Sequence, residues 1–268
     1  MTDLELPGPF WLVGCGNMAG AMLTGWLNAG LDPRHVTVID PVGKIPAEGV
    51  RGLTALPEDE VPALVMLGVK PQLLDEVAAT LAPVLEPETM LISILAGVEL
   101  ASLRAHFPKP RALFRAMPNL PARLNRGVTG LHGQGDTQAR KMVETLMKAL
   151  GLVEWFDDEA QFQIVTALGG SGPAFLYRFI DMMGAAGEAQ GLAPEQASRI
   201  ALAMVAGAAE LAFRSDVDPA TLADRVTSPG GTTAAGLGVL DAALPELLRA
   251  TLDAAVRRGE EMAEAARR

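Results

Sequence analysis

Gly14-Cys15-Gly16-Asn17-Met18-Ala19 is the stretch whose residue types and spacing point most directly to chemistry. It follows an apolar run, Phe10-Trp11-Leu12-Val13, and opens an amphipathic run that ends at Gly30. Strand, glycine turn and helix are the context of a dinucleotide fingerprint. Gly14 permits the tight turn, Gly16 lets the backbone approach a pyrophosphate, and Ala19 is small enough for the helix to pack close to the strand. Helix N-terminal N–H groups and the positive end of the helix dipole then face the phosphates. A plain strand-to-helix turn is the competing reading, and a second strand following this early motif weighs against it. Cys15 has the place of an activated thiolate at a helix start, but a small residue in a crowded turn is the favoured reading.

Asp40 closes the next strand-like stretch, His35-Val36-Thr37-Val38-Ile39. An acidic residue about 20 positions past the fingerprint accepts hydrogen bonds from the adenosine ribose. A carboxylate there repels a 2′-phosphate, so Asp40 leans toward NADH over NADPH. Lys44 offsets part of that charge. Aspartate before Pro41 is also a common way to begin a turn.

Two further stretches stand out in the second half. Thr227-Ser228-Pro229-Gly230-Gly231-Thr232-Thr233 is the densest turn signal in the chain. It sets backbone N–H groups and hydroxyls beside a helix start, a nest able to hold a carboxylate. A helix–helix loop with a threonine cap is the simpler reading. Gly169-Gly170-Ser171-Gly172-Pro173 interrupts a helical region. Each interior glycine costs about 1 kcal/mol against alanine, so either a backbone or ligand approaches closely there or two helices pack at a notch.

These residues need a scaffold. Ala63–Val69 and Met90–Leu95 are continuous apolar runs of strand length, as suits parallel strands covered on both faces. Leu73–Leu81 and Glu99–His106 read as helices, and Arg111–Met117 as a strand that breaks at Pro118-Asn119. Val128–His132, the helical run Asp136–Leu150 and Val153–Phe156 complete an alternating series that predicts a mostly parallel sheet. Pro41–Gly49 holds two prolines and two glycines, so a loop takes the place of a crossover helix, and Leu53–Leu56 adds a minor strand. The turns at Gly14, Asp40, Lys70, Ala96 and Pro118 fall at strand carboxyl ends, where such sheets bind ligands.

From Glu159 strand signals vanish. Gln161–Leu168, Ala174–Gln190, Ala193–Phe213 and Pro219–Val226 read as helices, followed by one through Ala234 and Leu237 and a final one over Glu246–Arg267. A helix apolar on several sides, as Ile200, Met204 and Leu211 make the third, is a buried one, with a second subunit as a cover. The chain thus divides into an α/β domain over 1–158 and an all-α domain over 159–268.

Composition sets outer bounds. A net charge of −10 over 268 residues argues against nucleic acid as a partner. The one cysteine excludes an intrachain disulfide and fits a reducing compartment. His35, His106 and His132 are scattered, so no metal site is expected. Met1–Pro9 lacks the basic and apolar regions of a signal peptide. No apolar run reaches membrane-spanning length, Ile200–Ala209 being stopped by Glu210.

The motifs occur in a telling order. Gly14–Ala19, Val69-Lys70-Pro71-Gln72, Ser93 with Ala96-Gly97, and Arg115 with Met117-Pro118-Asn119 come first. Thr166 with Gly170-Ser171-Gly172-Pro173 and then Val226–Thr233 follow. Over nearly its whole length the chain resembles pyrroline-5-carboxylate reductases, the enzymes of the last step of proline biosynthesis, and the 226–233 motif is the most specific element of the likeness. The resemblance implies a Rossmann-type N-terminal domain and a helical dimerisation domain. It also implies a homodimer assembling further, often to a decamer, and a cytoplasmic enzyme. It places NADH or NADPH against Gly14, Cys15, Gly16, Asn17, Met18, Ala19, the region of Asp40, Val69, Lys70, Pro71, Ala96 and Gly97, with Arg225 near the cofactor. It places the substrate carboxylate on the bend holding Ser228, Gly230, Gly231, Thr232 and Thr233, with Glu159 near the substrate and the Thr233 hydroxyl near the ring nitrogen as the catalytic group.

The chain departs from the family pattern in four places. The segment after Asp40 is short and lacks the usual 2′-phosphate ligands, Leu120 and Gly169 replace a common threonine and serine, and Phe175 stands where tyrosine is frequent. The implied reaction is hydride transfer from the nicotinamide to the imine carbon of 1-pyrroline-5-carboxylate, giving L-proline. An iminium is already electrophilic, which agrees with the lack of a Ser-His-Asp or paired-carboxylate constellation; positioning and water exclusion remain for the protein. A reductase of another cyclic imine or a β-hydroxyacid on this architecture, and a non-catalytic dinucleotide- and proline-binding homologue, are the alternatives.

Overall fold

The structure, a computed structural model, describes residues 4–43 and 47–266. Lys44, read above as a partial offset to Asp40, and Arg267, read as the last residue of the final helix, lie outside the described residues. So do the first three residues of the stretch Met1–Pro9.

The apolar runs become strands. β1 (Phe10–Val13), β2 (Val36–Ile39), β3 (Arg51–Leu53), β4 (Leu64–Leu67), β5 (Met90–Ser93), β6 (Ala112–Met117), β7 (Gly127–Gln134) and β8 (Gly151–Trp155) form one sheet. The order across it is β3-β2-β1-β4-β5-β6-β7-β8, and every pairing is parallel except β6 with β7. Four helices complete this part: α1 (Asn17–Asn28), α2 (Leu74–Leu81), α3 (Leu100–His106) and α4 (Thr137–Lys148).

β1 shows what drives the arrangement. All four of its residues are buried. Phe10 and Leu12 join the core that holds Met22 and Trp26 of α1 and Val143 and Met147 of α4. Trp11 and Val13 join the core that holds Leu74 and Leu81 of α2 and Leu103 of α3. Alternation along a strand thus feeds two cores, one per sheet face. The Trp26 indole N–H donates to the Leu146 carbonyl at 2.8 Å, so this buried ring meets its polar requirement as well. β1 pairs with β2 on one side and β4 on the other. The chain reverses its winding there, and a crevice opens beyond the strand ends.

The remaining helices are α5 (Gln161–Val165), α6 (Gly172–Ala189), α7 (Pro194–Arg214), α8 (Pro219–Arg225) and α9 (Thr232–Ala266). Residues up to Ser171 together with those from Ala255 form one compact unit, and Gly172–Ala254 form the other. In the second unit α6 meets α7 through small residues. A Cβ added at Gly184 would stand 3.4 Å from the Ser198 α-carbon, and one at Gly187 would stand 3.3 Å from the Ala197 Cβ.

Three sequence expectations need correction. The minor strand lies at Arg51–Leu53 instead of Leu53–Leu56, because Thr37, Val38 and Ile39 pair with 51–53 and Pro57 follows closely. The final helices are one: α9 runs through Pro245 without a break. Proline removes a single N–H, and the alanine- and leucine-rich sequence on both sides sustains the helix. Gln161–Leu168 is not uniform, since α5 gives way to a π-helical turn over Thr166–Gly170, closed by the Ser171 N–H on the Thr166 carbonyl at 2.8 Å. Within this chain α7 buries only Ala197 and Ala201. Ile200, Met204 and Leu211 are exposed.

Candidate active site

The glycine turn is built by sterics that leave little choice of residue. Gly14 has φ +84°, and a Cβ there would stand 2.6 Å from Val69 Cγ1 and 2.8 Å from the Val69 nitrogen. A Cβ at Gly68 would stand 2.8 Å from the Ala19 Cβ. The first and last small residues of the fingerprint are therefore fixed by the close approach of the β4 loop. Gly16 differs: a Cβ there would meet nothing within 4 Å, and its backbone is exposed. Gly16 is the N-cap of α1, with no side-chain cap and no acidic residue in the first turn. A helix start leaves its first N–H groups without intrahelical partners, and here they open onto space that a phosphate can fill. The residues fit a dinucleotide.

Asp40 follows β2 and is half-buried. Its Oδ2 accepts from the Cys15 N–H at 2.9 Å, and its Oδ1 accepts from the Val42 N–H at 3.0 Å. Val69, Lys70 and Pro71 follow β4, and Ala96 and Gly97 follow β5. Since β1, β2, β4 and β5 are mutually parallel, all of these predicted cofactor residues share one edge of the sheet. Cys15 is buried in the turn.

On the same edge lies a buried cation, set among apolar neighbours. Arg115, in β6 opposite Ser93 of β5, is only 3% exposed. Its Nη1 donates to Glu159 Oε1 at 2.6 Å, and that same oxygen accepts from the Leu100 N–H at 2.7 Å. A cavity of about 40 Å³ beside Arg115 is lined by Ala96, Gly97, Met117, Thr166 and Met262 among others. The signal for Arg115 was present, as the one charged residue in an apolar strand; nothing in the sequence pointed to Met262.

The second unit carries the predicted substrate bend. Arg225 ends α8. The Thr227 hydroxyl donates to the Ala223 carbonyl at 2.7 Å and the Gly231 N–H to the Ser228 carbonyl at 3.0 Å, which closes the turn. Gly230 has φ +71°, and a Cβ on Gly231 would collide with Ser228 Oγ. The backbone conformation favours glycine at 230, and the Ser228 side chain crowds position 231. Thr232 and Thr233 open α9, whose first N–H groups have no intrahelical acceptor by position. Ser228, Gly230, Thr232 and Thr233 are exposed.

A glycine turn at the switch point of a doubly wound sheet places the chain in the class of dinucleotide-binding α/β proteins. Residues 10–97 match a family described as NADP oxidoreductase, coenzyme F420-dependent, and residues 159–262 match one described as pyrroline-5-carboxylate reductase dimerisation. The chain is 39% identical to the pyrroline-5-carboxylate reductase of Pseudomonas aeruginosa, over 94% of this chain and 96% of that one. A solved pyrroline-5-carboxylate reductase from Coxiella burnetii superposes with a TM-score of 0.88 at 31% identity, covering 96% of this chain and 99% of that one. The Plasmodium falciparum pyrroline carboxylate reductase, solved with NADP bound, shares the fold with a TM-score of 0.83 at 24% identity, covering 96% and 98%. This chain belongs to the pyrroline-5-carboxylate reductase family. Among the described residues no helix is long and apolar enough to cross a membrane.

Proposed function

We propose that this chain reduces 1-pyrroline-5-carboxylate to L-proline with NADH preferred over NADPH. When bound, the reduced dinucleotide supplies a hydride from its nicotinamide to the imine carbon of the ring. The chain's own residues hold and orient. The Gly14–Ala19 turn and the start of α1 take the pyrophosphate, while Asp40 takes the ribose hydroxyls and repels a 2′-phosphate. Val69, Lys70, Pro71, Ala96 and Gly97 line the remainder, with Arg225 as a further cofactor contact. The N–H groups at the start of α9 hold the substrate carboxylate, with Ser228, Gly230 and Gly231 shaping the bend and Thr232 beside it. The Thr233 hydroxyl hydrogen-bonds the ring nitrogen, which keeps its proton as the amine forms.

The observation that carries this reading is the Ser228–Thr233 bend. Gly230 takes a left-handed conformation and Gly231 lies close against Ser228, and a helix start follows, which is the arrangement that receives a carboxylate. The exposed Tyr177, Leu211 and Phe213 of the helical unit support a homodimer through these helices. Assembly on to a decamer, a cytoplasmic location and a division of function near residue 158 complete the proposal. Following NADH oxidation with pyrroline-5-carboxylate and with a six-membered cyclic imine, and NAD+ reduction with a β-hydroxyacid, tests it. Turnover confined to the five-membered imine supports the reading; NADH binding with no turnover would leave a non-catalytic binding protein.

A further inference from the structure

Arg115 poses a physical problem that its surroundings answer. A guanidinium buried in an apolar strand costs several kcal/mol unless it is paired and hydrogen-bonded. Its partner is Glu159, at 2.6 Å, and its guanidinium carbon lies 4.7 Å from the centre of the Phe162 ring. Phe162 is held edge-on by His132 and Phe156, with ring centres 6.0 and 6.2 Å away. The cation is therefore fixed by its charge partner and by a locked aromatic face.

The carboxylate does a second task. Glu159 Oε1 also receives the Leu100 N–H at 2.7 Å. Leu100 is the first residue of α3, and the turn before it holds Ala96 and Gly97, the latter at φ +76°. On the other side of that turn the Ser93 hydroxyl oxygen accepts from the Leu95 N–H at 3.3 Å. The turn is thus pinned at both ends, once from β5 itself and once through Glu159 from β6. A buried ion pair adds little net stability over apolar residues of similar volume, and its better-attested use is to select one geometry.

We propose that the Arg115–Glu159 pair is a positioning device that sets the Ala96–Gly97 turn against the nicotinamide half of the dinucleotide. This rests on the reading of Ala96 and Gly97 as cofactor residues. It gives Glu159 a task distinct from substrate contact, because the oxygen aimed at Leu100 already carries two donors.

The test compares two nucleotides on the full chain: NADH, and ADP-ribose, which lacks the nicotinamide. Glu159→Gln keeps an acceptor for Leu100 but loses the charge that holds Arg115. Its NADH affinity is expected to fall about tenfold, while ADP-ribose affinity stays near wild type and Tm falls as the buried Arg115 loses its charge partner. Arg115→Lys keeps the charge without the planar fork and is expected to show the same selective loss to a smaller degree. It carries the comparison alone where Glu159→Gln does not fold. Equal weakening of both nucleotides, or a lower Tm with NADH affinity intact, would overturn the positioning function and leave a structural ion pair. A wild-type chain that binds neither nucleotide would overturn the cofactor reading itself, and this proposal with it.

Discussion

The carboxylate of Asp40 accepts a hydrogen bond from the backbone N–H of Cys15 at 2.9 Å. The bond joins the end of β2 to the turn after β1 and holds a negative charge at the switch point of the sheet. In the proposed reading, a ribose with free hydroxyls gains an acceptor there, whereas a 2′-phosphate meets a fixed like charge. Replacing Asp40 with serine is expected to shift the ratio of kcat/KM values for NADH and NADPH toward NADPH by about tenfold or more, or ~1.4 kcal/mol. An unchanged ratio in parallel steady-state assays would remove Asp40 as the discriminating group.

The two glycines of the fingerprint should respond differently to the same change. Gly14→Ala forces a side chain into a left-handed conformation against Val69. It is expected to lower unfolding free energy by about 1–3 kcal/mol, measured by urea denaturation. Gly16→Ala places its methyl in open space at φ −70°. The fold is expected to hold, and NADH affinity to fall about tenfold, or ~1.4 kcal/mol, as the methyl intrudes on the phosphate. Equal effects of the two variants on stability would contradict this division.

Thr233 stands in the first turn of α9 and is assigned the ring nitrogen. Thr233→Ala removes one hydrogen bond and little else, since the residue is exposed. The expected loss in kcat/KM is about 1–3 kcal/mol, roughly 5- to 150-fold. Kinetics equal to wild type would exclude the hydroxyl from the reaction.

His106 offers a pH-dependent contribution away from the site. Its Nδ1 lies 2.7 Å from the Ser102 carbonyl and its Nε2 lies 2.7 Å from the Asp75 carboxylate. The Ser102 carbonyl, and then Asp75, favour the doubly protonated ring and raise its pKa, against the opposing effect of burial. A raised folded-state pKa means that the stabilisation is fully present below the ordinary histidine value and is lost as pH rises through the raised one. The Tm difference between wild type and Asp75→Asn is therefore expected at about pH 5.5 and to vanish by about pH 9, well above the ordinary histidine pKa. A difference that grows with pH would contradict the sign.

Much of this was legible in the residues. The strand cores of β1, β4 and β5 announce themselves because strands buried on both faces must be apolar throughout. The glycine turn was equally plain, because close approach of Val69 and Ala19 to neighbouring backbone excludes larger residues. What the sequence concealed depends on long-range pairing. The register of β3 is set by β2, not by its own weak pattern. The continuity of α9 through Pro245 comes from flanking helix formers outweighing one proline. The link from Arg115 to Glu159 to Leu100 joins residues 44 and 59 positions apart, which no local spacing reveals.

The most direct test follows deuterium from NADH labelled at the transferring position of the nicotinamide C4 into product made from pyrroline-5-carboxylate. One deuterium at the ring carbon next to nitrogen and away from the carboxylate, in L-proline formed at the rate of NADH loss, is the expected result. Label in solvent, or NADH bound with no labelled proline formed, would contradict direct hydride transfer by this chain.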